Sequence, residues 1–359
     1  MLSARTPRKN FIAFLTPLFV SLFAATLSLL VFAAIRVTIA RAQSPKVISS
    51  SAPSLASQAP ATPPVTPTPS QQPAEPSTHP RIAFTFDDLP AHGPLPPGET
   101  RVQIANKIIS ALHDAHLPPV YGFINASTLE TEPQDLPVLQ AWRRAGYPLG
   151  SHTWSHMNLD QNTLEAFETD VARDEPLLAK MMKHKDWHWF RFPYLAEGST
   201  PAKHDGIRLF LAQRGYKIAD VTMSFDDYLW NDPYARCVAQ GNTAAIAQLQ
   251  STYLAAASAN FDFYRRLSQS LYKRDIPYVL LMHIGAFDAE MLPKLLDYYR
   301  SRGVKFVTLP KAEKDPFYRV DTDPDLPPAP ENLEDAMLKR KMSVPAEPVT
   351  TIQFDTLCR

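Results

Sequence analysis

Residues 82–88 read Ile82-Ala83-Phe84-Thr85-Phe86-Asp87-Asp88. Five apolar or β-branched residues form a short buried-type strand, and two carboxylates follow at its end. The same grammar recurs down the chain. Short runs rich in β-branched or aromatic residues lie at 120–124, 148–151, 188–192, 217–222, 279–283 and 305–309. Helical patterns separate them at 99–116, 136–145, 163–182, 202–214, 243–273 and 289–302. Strand–helix alternation predicts a parallel sheet with helices outside it. Seven such strands predict an α/β fold, a distorted (β/α)7 barrel of parallel strands with outer helices. In barrels of this kind chemistry gathers at the C-terminal ends of the strands. Asn162, with Glu165 three residues on, predicts a capping box for the helix at 163–182, and Pro176 predicts a kink or a break in it.

The chain has 359 residues, and the alternation occupies 81–311. Lys+Arg and Asp+Glu are both 36, so the net charge is zero, which excludes the basic excess of a nucleic-acid binder. Of the flanks, 1–42 predicts a signal peptide or an N-terminal membrane anchor. Arg5, Arg8 and Lys9 precede 25 uncharged residues at 11–35, and Ala40-Arg41-Ala42 offers a small-x-small cleavage site. As a helix that run would span about 37 Å, enough for a bilayer, so both outcomes stay open. Either places the remainder outside the cytoplasm: periplasmic, cell-surface or secreted. Residues 43–80 are rich in Pro, Ser, Thr and Ala and predict a disordered linker. Residues 312–359 predict a tail packed on the domain, with a short helix at 331–342. The two cysteines, Cys237 and Cys358, form either a bridge, as an oxidising compartment allows, or two separate thiols.

Four strings at predicted strand ends carry the chemistry. Asp87-Asp88 offers one carboxylate for a cation and one for a proton. His152-Thr153-Trp154-Ser155-His156 spaces two histidines by four. On a helix they would share a face and an ion, while Thr153 disfavours the zinc-protease motif, which needs Glu there. With a carboxylate from another strand they make a two-His, one-carboxylate set; zinc suits a hydrolase, and ferrous iron uses the same donors. Arg191-Phe192-Pro193-Tyr194 supplies a guanidinium to orient Asp87, and Tyr194 could offer its N–H to an oxyanion. His283 ends the apolar run 278–282, and Asp227 of the pair Asp226-Asp227 could hold it protonated.

Assembled, these strings resemble the polysaccharide deacetylase family, carbohydrate esterase family 4 or NodB-homology domain, over about 81–309. The resemblance implies a distorted (β/α) barrel, one divalent metal, preferably zinc, and hydrolysis of acetyl groups on sugars. It implies Asp87 as general base, and Asp88, His152 and His156 as metal ligands. It implies Arg191 as the residue orienting Asp87, the Tyr194 N–H at the oxyanion, and His283 as general acid tuned by Asp227. Two departures stand out. Leu89-Pro90 follows the first motif where Gly is usual. Ser224-Phe225-Asp226-Asp227-Tyr228 replaces Asp-x-x-Asp-Trp, so Trp230 is expected to supply the apolar wall. The expected function is removal of N-acetyl groups from an extracytoplasmic amino-sugar polysaccharide of peptidoglycan or poly-N-acetylglucosamine type. The alternatives are an O-acetyl esterase, another carbon–nitrogen hydrolase, or a non-catalytic carbohydrate-binding protein. The expected partner is an acetylated polysaccharide, with no nucleic acid and an optional membrane tether through the N-terminal run.

Overall fold

The computed structural model describes residues 79–323, 326, 332–350 and 352–359. The expected leader and nearly all of the expected linker lie outside them. Among the described residues no helix is long and apolar enough to cross a membrane.

Seven strands form one sheet: β1 (Arg81–Leu89), β2 (Tyr121–Ile124), β3 (Leu149–Ser151), β4 (Trp189–Phe190), β5 (Lys217–Ile218), β6 (Pro277–His283) and β7 (Lys305–Phe306). Every pairing is parallel, in the order β5-β4-β3-β2-β1-β6, with β7 beside the start of β1. The sheet curls on itself. Past β5 the chain reaches β6, where Met223 bridges Leu280, the Leu281 N–H donates to the Met223 carbonyl (3.1 Å), and the Val279 N–H donates to Thr222 Oγ1 (2.9 Å). This is the expected distorted barrel of parallel strands, with β5 shorter than its run at 217–222 because Asp220–Met223 turn away to make that closure.

The main helices are α1 (Arg101–Asp114), α2 (Leu136–Arg144), α3 (Leu164–Met182), α4 (Pro201–Gln213), α5 (Asn231–Ala239), α6 (Thr243–Tyr272), α7 (Ala286–Ser301) and α8 (Leu333–Lys339). A Thr100–Gln103 capping box starts α1. The Asn162–Glu165 box is not formed. Thr163 caps α3 instead, its hydroxyl accepting from the Ala166 N–H. Pro176 neither breaks nor ends α3, which runs through it to Met182. The helix forgoes one backbone hydrogen bond there, and burial of Phe167, Val171 and Leu178 offsets the loss. Helix α5 was not expected; its nine residues are short, and its apolar face is broken by Asn231 and Arg236.

Two β1 registers position the chemistry. Against β6, seven consecutive partners run from Arg81–Pro277 to Asp87–His283, so the last carboxylate in register faces the terminal histidine of the next strand. Against β2, Phe86 pairs with Gly122 and Leu89 with Ile124, so three steps on β1 match two on β2. That bulge falls on Asp87-Asp88, and Asp88 takes φ 65°. A bulge breaks the two-residue alternation and re-aims a side chain, which lets both adjacent carboxylates serve one site.

The C-terminal residues touch the barrel at several points. Tyr318 is fully buried, and its hydroxyl bonds Thr222 and the Pro277 carbonyl. Cys237 and Cys358 are disulfide-bonded, 121 residues apart. Arg236 donates to the carbonyls of Phe354 and Leu357, and Phe354 packs edge-on against Trp230.

Candidate active site

The eight residues singled out from the sequence converge at the C-terminal rim of the strands. Asp88, at the bulge, turns Oδ1 toward His152 Nε2 (3.5 Å) and His156 Nε2 (3.4 Å). Asp87, 2% exposed, lies 3.6 Å from His152 Nε2 through Oδ2.

The His152–His156 segment is not helical, contrary to the face-sharing expectation. His152 leaves the end of β3, and Thr153 (φ 61°) and His156 (φ 57°) adopt left-handed backbone. Such conformations cost about 1–3 kcal/mol each for non-glycine residues and persist only where surroundings enforce them. Helix α3 supplies that enforcement. Asp170 accepts from the Ser155 N–H (2.9 Å) and Oγ (3.0 Å), and Asp174, fully buried, accepts from Ser151 Oγ (3.0 Å). Asn125 donates to the carbonyls of His152 and Thr153. The sequence reading missed all three. Asp170 and Asp174 are spaced by four on the face that carries Phe167, Val171 and Leu178, and two aspartates on an apolar face were the only available signal.

His152 Nδ1 donates to the Arg191 carbonyl (2.8 Å), which fixes the tautomer and leaves the Nε2 lone pair facing Asp88. Burial lowers the His156 pKa, reinforced by neighbouring His152, to about 4, so His156 is neutral and a ready donor at neutral pH. Burial pushes the Asp88 carboxyl up, but the His92 hydrogen bond and the charges of His283, His152 and His156 outweigh it and hold the group well below the usual range.

These donors fit a divalent cation. Among the described residues Asp88 Oδ1 is buried without a hydrogen-bond partner. Two donors each 2.0–2.1 Å from a tetrahedral zinc lie about 3.3–3.4 Å apart. The separations of 3.4 and 3.5 Å from Asp88 Oδ1 match that edge.

Arg191 is 1% exposed and uses all three of its guanidinium nitrogens: Nη1 donates to both Asp87 oxygens (3.2 Å each), Nη2 to Thr85 Oγ1 (3.2 Å), and Nε to the Ala219 carbonyl (2.6 Å). Its guanidinium also stacks on Phe123, 4.8 Å from the ring centroid. Opposite, Asp227 grips His283 twice, accepting from Nδ1 (2.9 Å) and from the backbone N–H (2.7 Å). Burial disfavours the imidazolium, but the Asp227 carboxylate and its hydrogen bond prevail and raise the His283 pKa to about 10. Asp227 begins a 3-10 turn entered through Asp226 in left-handed backbone (φ 56°), nine residues past β5 rather than at its end. Tyr194 is 65% exposed with φ 58°, and its ring lies over His156 at 4.4 Å.

Two further findings correct the reading. Trp230 does not wall the site. It is fully buried, its Nε1 bonded to Thr252 and its ring packed on Tyr253 and Phe354. Tyr228, 42% exposed and 5.3 Å from the His283 ring, stands at the rim instead. His92, passed over in Leu89-Pro90-Ala91-His92-Gly93, donates from Nδ1 to Asp88 Oδ2 (2.7 Å) and stacks on His283 at 4.6 Å. Arg101 clamps its loop by donating to the carbonyls of His92 (2.7 Å) and Gly93 (2.6 Å). A histidine four residues after a ligand-type carboxylate was the available signal.

The polysaccharide deacetylase family model matches residues 74–217, the stretch holding Asp87, Asp88, His152, His156, Arg191 and Tyr194 in this arrangement. That stretch carries a polysaccharide deacetylase domain. The family that this domain matches consists of hydrolases acting on acetylated polysaccharide. Asp227 and His283 lie beyond the matched stretch and join the site through the β1–β6 register. No curated protein matches the chain. Among solved structures, it is similar to the chitin deacetylase of the fungal pathogen Colletotrichum lindemuthianum (21% identity, 66% of this chain and 89% of that one, TM-score 0.44). It is also similar to the peptidoglycan deacetylase PdaC of Bacillus subtilis (16%, 74% and 98%, TM-score 0.43). A family 4 pseudoenzyme of Bacillus anthracis is similar as well (10%, 66% and 66%, TM-score 0.46).

Proposed function

We propose that this deacetylase removes N-acetyl groups from an amino-sugar polysaccharide outside the cytoplasm, using one divalent cation, zinc, held by Asp88, His152 and His156. The observation that carries the reading is the in-register pair Asp87–His283 at the ends of β1 and β6, each fixed by its own counter-charge, Arg191 and Asp227. One group is set to take a proton and the other to give one, side by side across a single strand spacing.

The cation, when bound, would polarise the acetyl carbonyl and make a water molecule a better nucleophile at neutral pH. Asp87, oriented by Arg191, accepts the proton of the attacking water. The Tyr194 N–H donates to the oxygen that gains charge. His283 delivers its Nε2 proton to the departing sugar nitrogen, while Asp227 keeps the ring charged and aligned through Nδ1. Extracytoplasmic placement is supported by the Cys237–Cys358 bond, a feature of oxidising compartments, and by the apolar N-terminal run.

The direct test is acetate release across a panel of acetylated glycans: chitin oligomers, poly-N-acetylglucosamine, peptidoglycan fragments and O-acetylated xylan. Acetate from the amino-sugar substrates is the expected result. Release from the O-acetylated glycan alone would make the protein an esterase, and binding without release would make it a lectin-like scaffold.

A further inference from the structure

Asp88 has two faces. Oδ1 looks toward His152 and His156; Oδ2 is 2.7 Å from His92 Nδ1. His283 completes a second group with Asp88 and His92. One donor atom each from Asp88, His92 and His283 lie within 4.8 Å of one another, the same span that encloses Asp88, His152 and His156. His283 spends Nδ1 on Asp227, so Nε2 is the nitrogen left to the site. His92 and His283 are already against each other, 4.6 Å between centroids and tilted by 42°.

We propose that Asp88 bridges two cation positions, and that the second, made by Asp88, His92 and His283, takes a borderline-soft divalent ion such as zinc when that metal is in excess. The inference rests on the first position being a cation site. Imidazole and carboxylate donors are the set zinc prefers. Two donors 2.7 Å apart subtend roughly 80° at an ion about 2.05 Å from each, a usable bite angle. Occupation moves the His92 proton from Nδ1 to Nε2, where the ring stays neutral, and releases the Nε2 proton of His283 to solvent. It is therefore inhibitory, because the general acid is spent as a ligand. Charge orders the two events. Asp87, Asp88 and Asp227 against Arg191 and the protonated His283 leave one negative charge around the site. The first divalent ion reverses that charge, and the second enters against it, so it binds more weakly.

The experiment is a zinc titration of the metal-stripped full chain, followed by calorimetry and by equilibrium dialysis with elemental analysis, alongside acetate release. The wild type should bind two equivalents in two phases, with turnover falling as the weaker phase fills. His92→Phe keeps a ring against His283 but no nitrogen, and should lose the second phase and the excess-zinc inhibition measured against its own one-equivalent rate. His283→Gln should also lose the second phase. Circular dichroism checks that each variant is folded, and either variant suffices. A single equivalent in the wild type overturns the proposal while leaving the first position intact. Two equivalents persisting in a folded His92→Phe or His283→Gln place the second ion elsewhere and overturn it as well. No binding at all removes the first position, and the bridging proposal with it.

Discussion

The backbone carbonyl of Arg191 accepts the Nδ1 proton of His152 at 2.8 Å, while the guanidinium of the same residue holds Asp87. One residue thus couples the carboxylate proposed as base to a histidine proposed as cation ligand, by two different chemistries. The carbonyl survives any substitution; the guanidinium does not. Arg191→Met should strand a buried carboxylate and cost about 3–5 kcal/mol, the range for removing one partner of a buried pair. Urea unfolding would measure it. Acetate release should fall sharply as Asp87 loses its orientation, whereas zinc affinity should change less than it does in His152→Ala. Equal losses of affinity in the two variants would show that the guanidinium, not the carbonyl, sets the ligand.

The adjacent aspartates should separate cleanly. Asp87→Asn leaves the three donors in place, so metal content should persist while acetate release falls by about 10²–10⁴-fold, the usual range for general acid–base catalysis. Asp88→Asn removes the orphaned Oδ1 as an anionic donor. Elemental analysis should show loss of metal, and excess zinc should partly restore activity. Metal lost from the first variant and kept in the second would reverse the roles.

The contrast between these two residues shows what sequence could and could not carry. Alternation of apolar runs and helical patterns is a local property, so the parallel strands and the position of each string at a strand end were legible. So was the set of chemistry-bearing types, because a paired carboxylate, spaced histidines and a terminal histidine are unusual at such ends. Conformation within the strings was not. The bulge at Asp87-Asp88 and the left-handed turns at Thr153 and His156 are imposed from outside, by β2 and by Asp170 and Asp174 on α3. No residue in those strings is a glycine that would announce a positive φ. His92 went unread for a similar reason: its role comes from Arg101 folding its loop back over Asp88.

The rim offers a second such contrast. Trp230 is the larger ring, yet it lies in the core, and Tyr228 lies beside His283. Trp230→Ala should cost about 3–5 kcal/mol of stability, as for other buried large-to-small changes, read as a fall in the urea midpoint. Tyr228→Ala should leave that midpoint nearly unchanged and raise KM for an oligosaccharide by several-fold, because an exposed ring at a sugar site contributes mainly contact area. A KM unaffected by the loss of Tyr228 would remove it from the substrate path.

The Asp227–His283 pair makes the pH behaviour predictable in sign. Burial alone would lower the His283 pKa from 6.5, yet Asp227 raises it to about 10. The folded value exceeds the unfolded one, so the pair's contribution to stability is full below pH 6.5 and fades as pH rises toward 10. The difference in urea midpoint between wild type and Asp227→Asn should therefore be largest just below pH 6.5 and shrink as pH rises from there toward 10. In metal-stripped protein, NMR titration of His283 should place its pKa near 10 in the wild type and several units lower in Asp227→Asn, where burial acts unopposed. The alkaline limb of the pH–rate profile should move down in the same variant, since an acid catalyst works only while protonated. His283→Ala should lose more turnover on amide than on ester substrates, because an amine leaves poorly without a proton and an alcohol less so. If the limb stays put in Asp227→Asn, or if the two substrate classes suffer equally in His283→Ala, His283 is not the acid.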